Sequence, residues 1–201
     1  MEKSQNSRTN VLIFLTITFW GIFRNEVTVF YIIYLFWFEE LIKAVIDLGF
    51  IIRRDKKVIK PVLTALPVFF MMSIYWTFIV IIFGLMTLIG HKPIDENINT
   101  NLLIINIQTL SFKNLFFNVN IIAFAVHYLL YVSDTKKIPE RLLPFNRRHI
   151  ILHISIILGA FIQFTKLSEL NIPFSLLSIL TILPFLILKI LLDKTFEKTI
   201  S

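Results

Sequence analysis

The sequence contains no cysteine, which excludes disulfide bonds, thiolate metal ligands and redox-active thiols. Glycine occurs only five times, and no glycine belongs to a phosphate-binding loop pattern. The Gly-x-Ser-x-Gly pattern of a hydrolase nucleophile is also missing. These absences remove several common enzyme classes, and the sequence predicts no cofactor.

Charged residues are scarce, at 16% of 201 residues, whereas soluble domains contain about 25%. Hydrophobic residues reach 56%, and phenylalanine alone occurs 21 times. The hydrophobic residues fall in blocks of about twenty, the length that a helix needs to cross about 30 Å of hydrocarbon. This composition predicts a multi-pass integral membrane protein.

Six apolar blocks predict one all-α domain over residues 1–201, a polytopic transmembrane helical bundle of about six spans. The predicted spans are 11–23, 27–52, 61–89, 115–132, 149–164 and 172–192. Residues 101–112 alternate polar and apolar side chains, which predicts an interfacial helix or a loop packed on the outer face. Pro67 and Pro184 lie inside spans and predict kinks, because proline removes a backbone donor.

Basic residues are concentrated in the predicted loops of one side. Residues 53–60 contain five of them, and residues 133–148 contain another five. With the two terminal segments, this side carries 14 basic residues and the other side carries four. The positive-inside rule therefore places both termini in the cytoplasm. We expect the protein to lie in the cell (inner) membrane.

The net charge of +7 does not indicate a nucleic-acid partner, since the basic residues lie in short connections between apolar blocks. We expect these loops to contact anionic lipid headgroups. Arg147 and Arg148 are the predicted interfacial pair before the fifth span. The sequence leaves a homo-oligomer and a membrane-complex partner open.

Four ionisable residues interrupt the second predicted span: Glu39, Glu40, Lys43 and Asp47. At about 100° per residue they share one helical face. Lys43 lies four residues from Glu39 and from Asp47, where it can pair with either carboxylate. A charged face turned toward lipid costs several kcal/mol, so we expect this stripe to face the interior of the bundle.

The helical rise of about 1.5 Å per residue predicts which polar residues lie at equal depth. Asp47 is level with His127 and His153, and the two glutamates are level with Ser73, Tyr75 and Asn120. We therefore predict an intramembrane polar site in two layers. Its residues are Glu39, Glu40, Lys43, Asp47, His127 and His153.

Histidine spacing raises the question of a metal site. His149 and His153 are four residues apart on one helical face, a spacing that can bind zinc. The adjacent Arg147 and Arg148 disfavour a cation there, so we predict no metal at that pair. Asp47, His127 and His153 form another set of three metal-ligand side chains.

Two stretches resemble a known family. Phe36-Trp37-Phe38-Glu39-Glu40 resembles the aromatic-Trp-x-Glu-polar motif of the domain-of-unknown-function 6498 family of prokaryotic polytopic membrane proteins. Pro144-Phe145-Asn146-Arg147, followed by His153 and Gly159-Ala160, resembles the second motif of that family. Glu40 stands where Asn or Ser is expected, and Ala160 where Gly is more usual. The resemblance implies a polytopic fold and singles out Glu39, Arg147 and His153, but implies no activity.

Three functions remain open at this point. The leading hypothesis is an integral membrane protein whose polar site around Glu39 handles a proton, an ion or a small polar solute. The second is a non-catalytic scaffold or complex subunit whose buried charges hold helices together. The third is a metal-dependent intramembrane enzyme. The sequence favours a non-enzymatic role.

Reporter fusions test the predicted topology. A fusion after Gly90 should place the reporter outside the cytoplasm, and a fusion after Lys137 should place it inside, because the basic loops remain cytoplasmic. Paired alkaline phosphatase and fluorescent-protein activities measure the two positions. The reverse pattern would show that the six-span topology is wrong.

Overall fold

The computed structural model describes residues 16–24, 26–56, 58–81, 96–135 and 152–158, together with 183, 184 and 187. Within these residues every regular element is a helix and no strand occurs, which confirms the all-α class. The helices are α1 (residues 16–23), α2 (Val29–Asp55), α3 (Ile59–Ile79), α4 (Glu96–Leu110), α5 (Leu115–Thr135) and α6 (residues 152–158).

Two helical stretches of the described chain are long and apolar enough to cross a membrane, Ile59–Ile79 and Leu103–Ser133. The second stretch includes a bend at residues 111–114. Helix α2, with 27 residues, is also long enough to cross a membrane, but charged residues interrupt its apolar run. Most of the predicted spans 149–164 and 172–192 lies outside the described residues.

Helix α2 has a defined beginning and end. The Thr28 hydroxyl oxygen accepts a hydrogen bond from the Tyr31 backbone N–H at 3.1 Å, which caps the first turn. At the other end, Lys56 adopts a left-handed conformation with φ 51° and donates its backbone N–H to the Ile52 carbonyl. This tight end allows α3 to begin at Ile59 and to run back along α2.

Helix α2 is the central helix of the described bundle. Its residues 30–37 are buried without interruption, so every face of this segment is covered by protein. Helices α3 and α5 make most of the contacts with α2. The core cluster also includes Leu152 and Ile156 of α6.

In a soluble bundle the apolar residues lie inside and the polar residues outside. In this structure the distribution is partly reversed. The outward surfaces of α3 and α5 carry large exposed apolar side chains, among them Leu63, Leu66, Phe70, Phe78, Ile122, Val126 and Leu130. In contrast, several polar side chains of the described residues are buried, among them Glu39, Asp47, Asn106, Asn114 and Asn120. An apolar exterior of this extent indicates a membrane or a large partner surface.

The predicted interfacial segment 101–112 forms the end of α4 and the start of the bend that leads to α5. The Lys113 N–H donates to the Gln108 carbonyl at 2.7 Å, and the Phe112 N–H donates to the Thr109 carbonyl at 3.2 Å. These two bonds define a Schellman motif, in which glycine is the usual left-handed residue. Here Phe112 has φ 57°, and its ring packs 5.2 Å from the ring of Phe38. The bend is thereby attached to α2.

Gly21 brings α1 close to the start of α2 and to α5. A Cβ atom at this position would lie 2.6 Å from Cγ2 of Val27 and 3.4 Å from Cγ of Phe116. Val27 is buried and β-branched, so it has little freedom to move away. The close approach therefore requires glycine.

Alanine substitutions at two glycines test this contact. We expect Gly21→Ala to lower the free energy of unfolding by about 1–3 kcal/mol, because the added methyl group overpacks the site. Gly49→Ala is the matched control, since nothing lies within 4 Å of its Cβ position. In the interior of a helix that change should stabilise by about 0.5–1 kcal/mol. Unfolding in detergent micelles measures both, and equal effects would contradict the close approach.

Candidate functional site

The lysine of the α2 stripe pairs with a different carboxylate from the one predicted. Lys43 Nζ lies 2.6 Å from Glu40 Oε1, three residues earlier, and not beside Glu39 or Asp47. Its ammonium group also lies 5.3 Å from the centre of the Phe124 ring on α5, which favours this orientation through a cation–π contact. The i, i+4 pairing of Lys43 with Glu39 or Asp47, which the spacing allowed, is therefore not formed.

Asp47 is bound by a tyrosine of α5. The Tyr128 hydroxyl donates a hydrogen bond of 2.7 Å to Asp47 Oδ1, and both residues are buried. The Tyr128 ring stacks on Phe124, which holds it in place. Equal depth predicted His127 for this position; the adjacent Tyr128 makes the contact, while His127 is half-buried. Depth identified the right helical turn, but the direction of the side chain selected the residue.

A second buried contact joins the upper parts of α2 and α5. Asn120 Nδ2 donates to the Tyr31 hydroxyl oxygen at 2.8 Å. Asn120 was predicted at the depth of Glu39, but Tyr31 lies eight residues earlier, or about 12 Å along the helix. Ser73, also predicted for this layer, is exposed and donates to the Phe69 carbonyl of its own helix. The hydrogen bonds of Asn120 and Ser73 therefore go to other groups than the two glutamates with which they were predicted to be level.

The start of α2 is held by two asparagines. Asn114 Nδ2 donates to the Glu26 carbonyl at 2.9 Å, and its Oδ1 accepts from the Phe117 N–H at 3.0 Å. The Thr28 hydroxyl lies 2.7 Å from Asn106 Oδ1 of α4 and donates to it. Polar side chains thus tie both α4 and the start of α5 to the beginning of α2.

Helix α3 is bound to α2 through an indole group. Trp37 Nε1 donates to the Met72 carbonyl at 2.8 Å inside the core. Tyr34 stacks on Trp37, with ring centres 5.8 Å apart and planes within 5°. Trp37, which belongs to the aromatic-Trp-x-Glu-polar stretch, is therefore a core residue whose indole is hydrogen-bonded to α3.

The order of these contacts shows the relative direction of α2 and α5. Tyr31 comes before Asp47 in α2. Their partners have the same order in α5, where Asn120 comes before Tyr128. The two helices therefore run parallel.

Glu39 is more buried than Glu40, with 6% of its surface exposed. It lies in the middle of α2, directly after the buried aromatic segment 30–37 and Phe38. Glu40 is half-buried and bound to Lys43, so the two adjacent carboxylates have different environments.

The two predicted histidines and Asp47 do not form a ligand set. His153 is exposed, and its ring packs 5.9 Å from the Tyr75 ring of α3. Within the described ranges, no three His, Asp or Glu side chains are grouped so that they can hold a metal ion. The proposed set of Asp47, His127 and His153 is therefore not assembled. Arg147, Arg148 and His149 lie outside the described residues.

A double-mutant cycle tests the contact between Asp47 and Tyr128. Tyr128→Phe removes only the donor, and we expect it to lower the free energy of unfolding by about 1–2 kcal/mol. Asp47→Asn should reduce the effect of Tyr128→Phe, because the two groups interact directly. The free energies are measured by unfolding in mixed micelles.

Tyr75→Phe provides the control for loss of a buried tyrosine hydroxyl, since that hydroxyl makes no hydrogen bond to another described residue. It should change stability by less than about 0.5 kcal/mol. Additive effects of Tyr128→Phe and Asp47→Asn would contradict the hydrogen bond.

No protein family, curated protein or solved structure matches the chain in the three comparisons. The resemblance to the domain-of-unknown-function 6498 family therefore stays a prediction.

Proposed function

We propose that the chain is an integral membrane protein of about six spans in the cell (inner) membrane, with both termini cytoplasmic. Its role is that of a non-catalytic scaffold or complex subunit built around α2. The observation that carries this proposal is the reversed distribution of polarity. The polar groups of α2 bind neighbouring helices, while the outward faces of α3 and α5 are apolar.

The membrane setting follows from the exposed surface. Side chains such as Leu66, Phe70 and Ile122 are more than half exposed, which costs hydration free energy in water but not in hydrocarbon. Hydrophobic burial does not bring helices together within lipid, so association depends on packing and on hydrogen bonds between helices. Helix α2 supplies such bonds to α3, α4 and α5.

The scaffold role is supported by what the polar groups contact. Lys43 binds Glu40 within α2, Asp47 accepts from Tyr128, and the Tyr31 hydroxyl accepts from Asn120. Each of these groups is engaged with protein, as expected for groups that fix the position of helices. A subunit of this kind can present its apolar exterior to lipid and to membrane partners.

Glu39 supports a second candidate function, the handling of a proton, an ion or a small polar solute. Glu39 is only 6% exposed and lies in the middle of α2, where a carboxyl group is largely removed from water. Intramembrane carboxyl groups commonly mark proton or ion pathways. In this role Glu39 would exchange a proton or bind a cation, while the other contacts of α2 hold the bundle.

Glu39→Gln distinguishes the two candidates, because it keeps the size of the side chain and removes its charge. A scaffold role predicts reduced membrane abundance and a lower midpoint of unfolding in detergent, with any cellular phenotype following abundance. A role in proton or ion handling predicts normal abundance and a loss of flux in proteoliposomes, measured with an internal pH dye and with cation indicators.

Asp55→Asn is the matched control, since it removes an acid from the same helix at an exposed position. It should leave abundance, unfolding and flux unchanged. If Glu39→Gln also leaves all three unchanged, both candidate roles of Glu39 are wrong. If the wild-type protein dissolves in buffer without detergent, the membrane proposal itself is wrong.

A further inference from the structure

A shallow, open groove lies along the first two turns of α3, just after the end of α2. Its volume is about 550 Å³, and its lining includes Val58, Ile59, Lys60, Leu63 and Thr64. None of the predicted polar-site residues is among these. The groove belongs instead to the end of the hairpin that carries the basic residues 53–60.

The wall of the groove is apolar and accessible. Val58, Ile59 and Leu63 are 58%, 77% and 62% exposed. The Thr64 hydroxyl donates to the Lys60 carbonyl of its own helix at 2.9 Å, so its hydrogen is already used. The wall therefore fits a hydrocarbon chain better than a polar solute.

The rim of the groove is strongly basic. Residues 53–60 contain five basic residues and one acidic residue. That acidic residue, Asp55, is bound to Arg54 Nε at 2.7 Å. Lys56 and Lys60 are exposed and form no ion pair with another described residue. The left-handed conformation of Lys56 fixes its backbone at the mouth of the hairpin. Lys60 is part of the lining and Lys56 lies two residues before the first lining residue, so this end of the hairpin offers two ammonium groups to an anion.

We infer that this groove binds an anionic phospholipid, with an acyl chain along Val58, Ile59 and Leu63 and the phosphate at Lys56 and Lys60. The inference rests on the proposed membrane location, which places this loop at the cytoplasmic surface. There the anionic headgroups and the acyl chains of the inner leaflet meet. The apolar wall matches the acyl chain of such a lipid, and the basic rim beside it matches the phosphate.

Lipid titration of the full-length protein tests the site. The protein is reconstituted in phosphatidylcholine nanodiscs with increasing phosphatidylglycerol, and bound lipid is counted by native mass spectrometry after gentle release. We expect Lys56→Gln combined with Lys60→Gln to weaken phosphatidylglycerol retention by about 25-fold, since each surface lysine contributes about five-fold. Leu63→Ser, which alters only the apolar wall, should weaken retention with the charge unchanged.

Lys113→Gln is the matched control, because Lys113 is an exposed lysine at the α4–α5 bend, away from the hairpin. It should retain phosphatidylglycerol as the wild type does. Equal loss in Lys113→Gln, or no loss in the double variant, would overturn the site. Equal retention of phosphatidylcholine would show that the rim does not select the headgroup, and displacement by millimolar glycerol phosphate would show a free-phosphate site.

The outcome for the site is separable from that for the membrane proposal. A protein that enters nanodiscs without preference for phosphatidylglycerol overturns the lipid site alone. A protein that does not enter nanodiscs overturns the membrane location. Circular dichroism at 222 nm shows that each variant has kept its helices before its lipid is counted.

Discussion

The structure depends on the need to satisfy the polar groups of α2 inside an apolar bundle. A carboxylate or hydroxyl that loses water must find a protein partner, or its burial costs several kcal/mol. Asp47 finds Tyr128, and Tyr31 finds Asn120, each at less than 3 Å. Both partners lie on α5, so the position of α5 is set by the polar residues of α2. These hydrogen bonds therefore fix how far α5 is shifted along α2.

Aromatic packing fills the space that these hydrogen bonds define. The Tyr34 ring stacks on Trp37 and on Phe117, with centroid distances of 5.8 and 5.3 Å. Phe38 extends this cluster to Phe112 at the bend before α5. Large rings with few rotamers bury much area at low entropic cost. The left-handed Phe112 is held by this packing, where a glycine would have no ring to contribute.

The helical class and the position of the polar stripe could be predicted from sequence, because both depend on local periodicity. Blocks of apolar residues predict helices, and the spacing of Glu39, Lys43 and Asp47 predicts a common face. Partner identity could not be predicted, because it depends on the length and direction of side chains on another helix. Tyr128 reaches Asp47 because its phenol is long, whereas depth alone indicated His127. Lys43 selected Glu40 because i,i+3 and i,i+4 neighbours are nearly equidistant on a helix.

The separation in sequence between α2 and its partners has a consequence for biosynthesis. Asp47 and Tyr128 are 81 residues apart, and Tyr31 and Asn120 are 89 residues apart. At about 5–20 residues per second, the ribosome needs about 4–18 s to make the partners after α2 has emerged. During that interval α2 carries carboxylates that α5 has not yet covered. In the membrane setting that we propose, a helix in this condition enters lipid poorly by itself, so α2 should remain at the translocon, or in contact with an insertion chaperone, until α5 arrives.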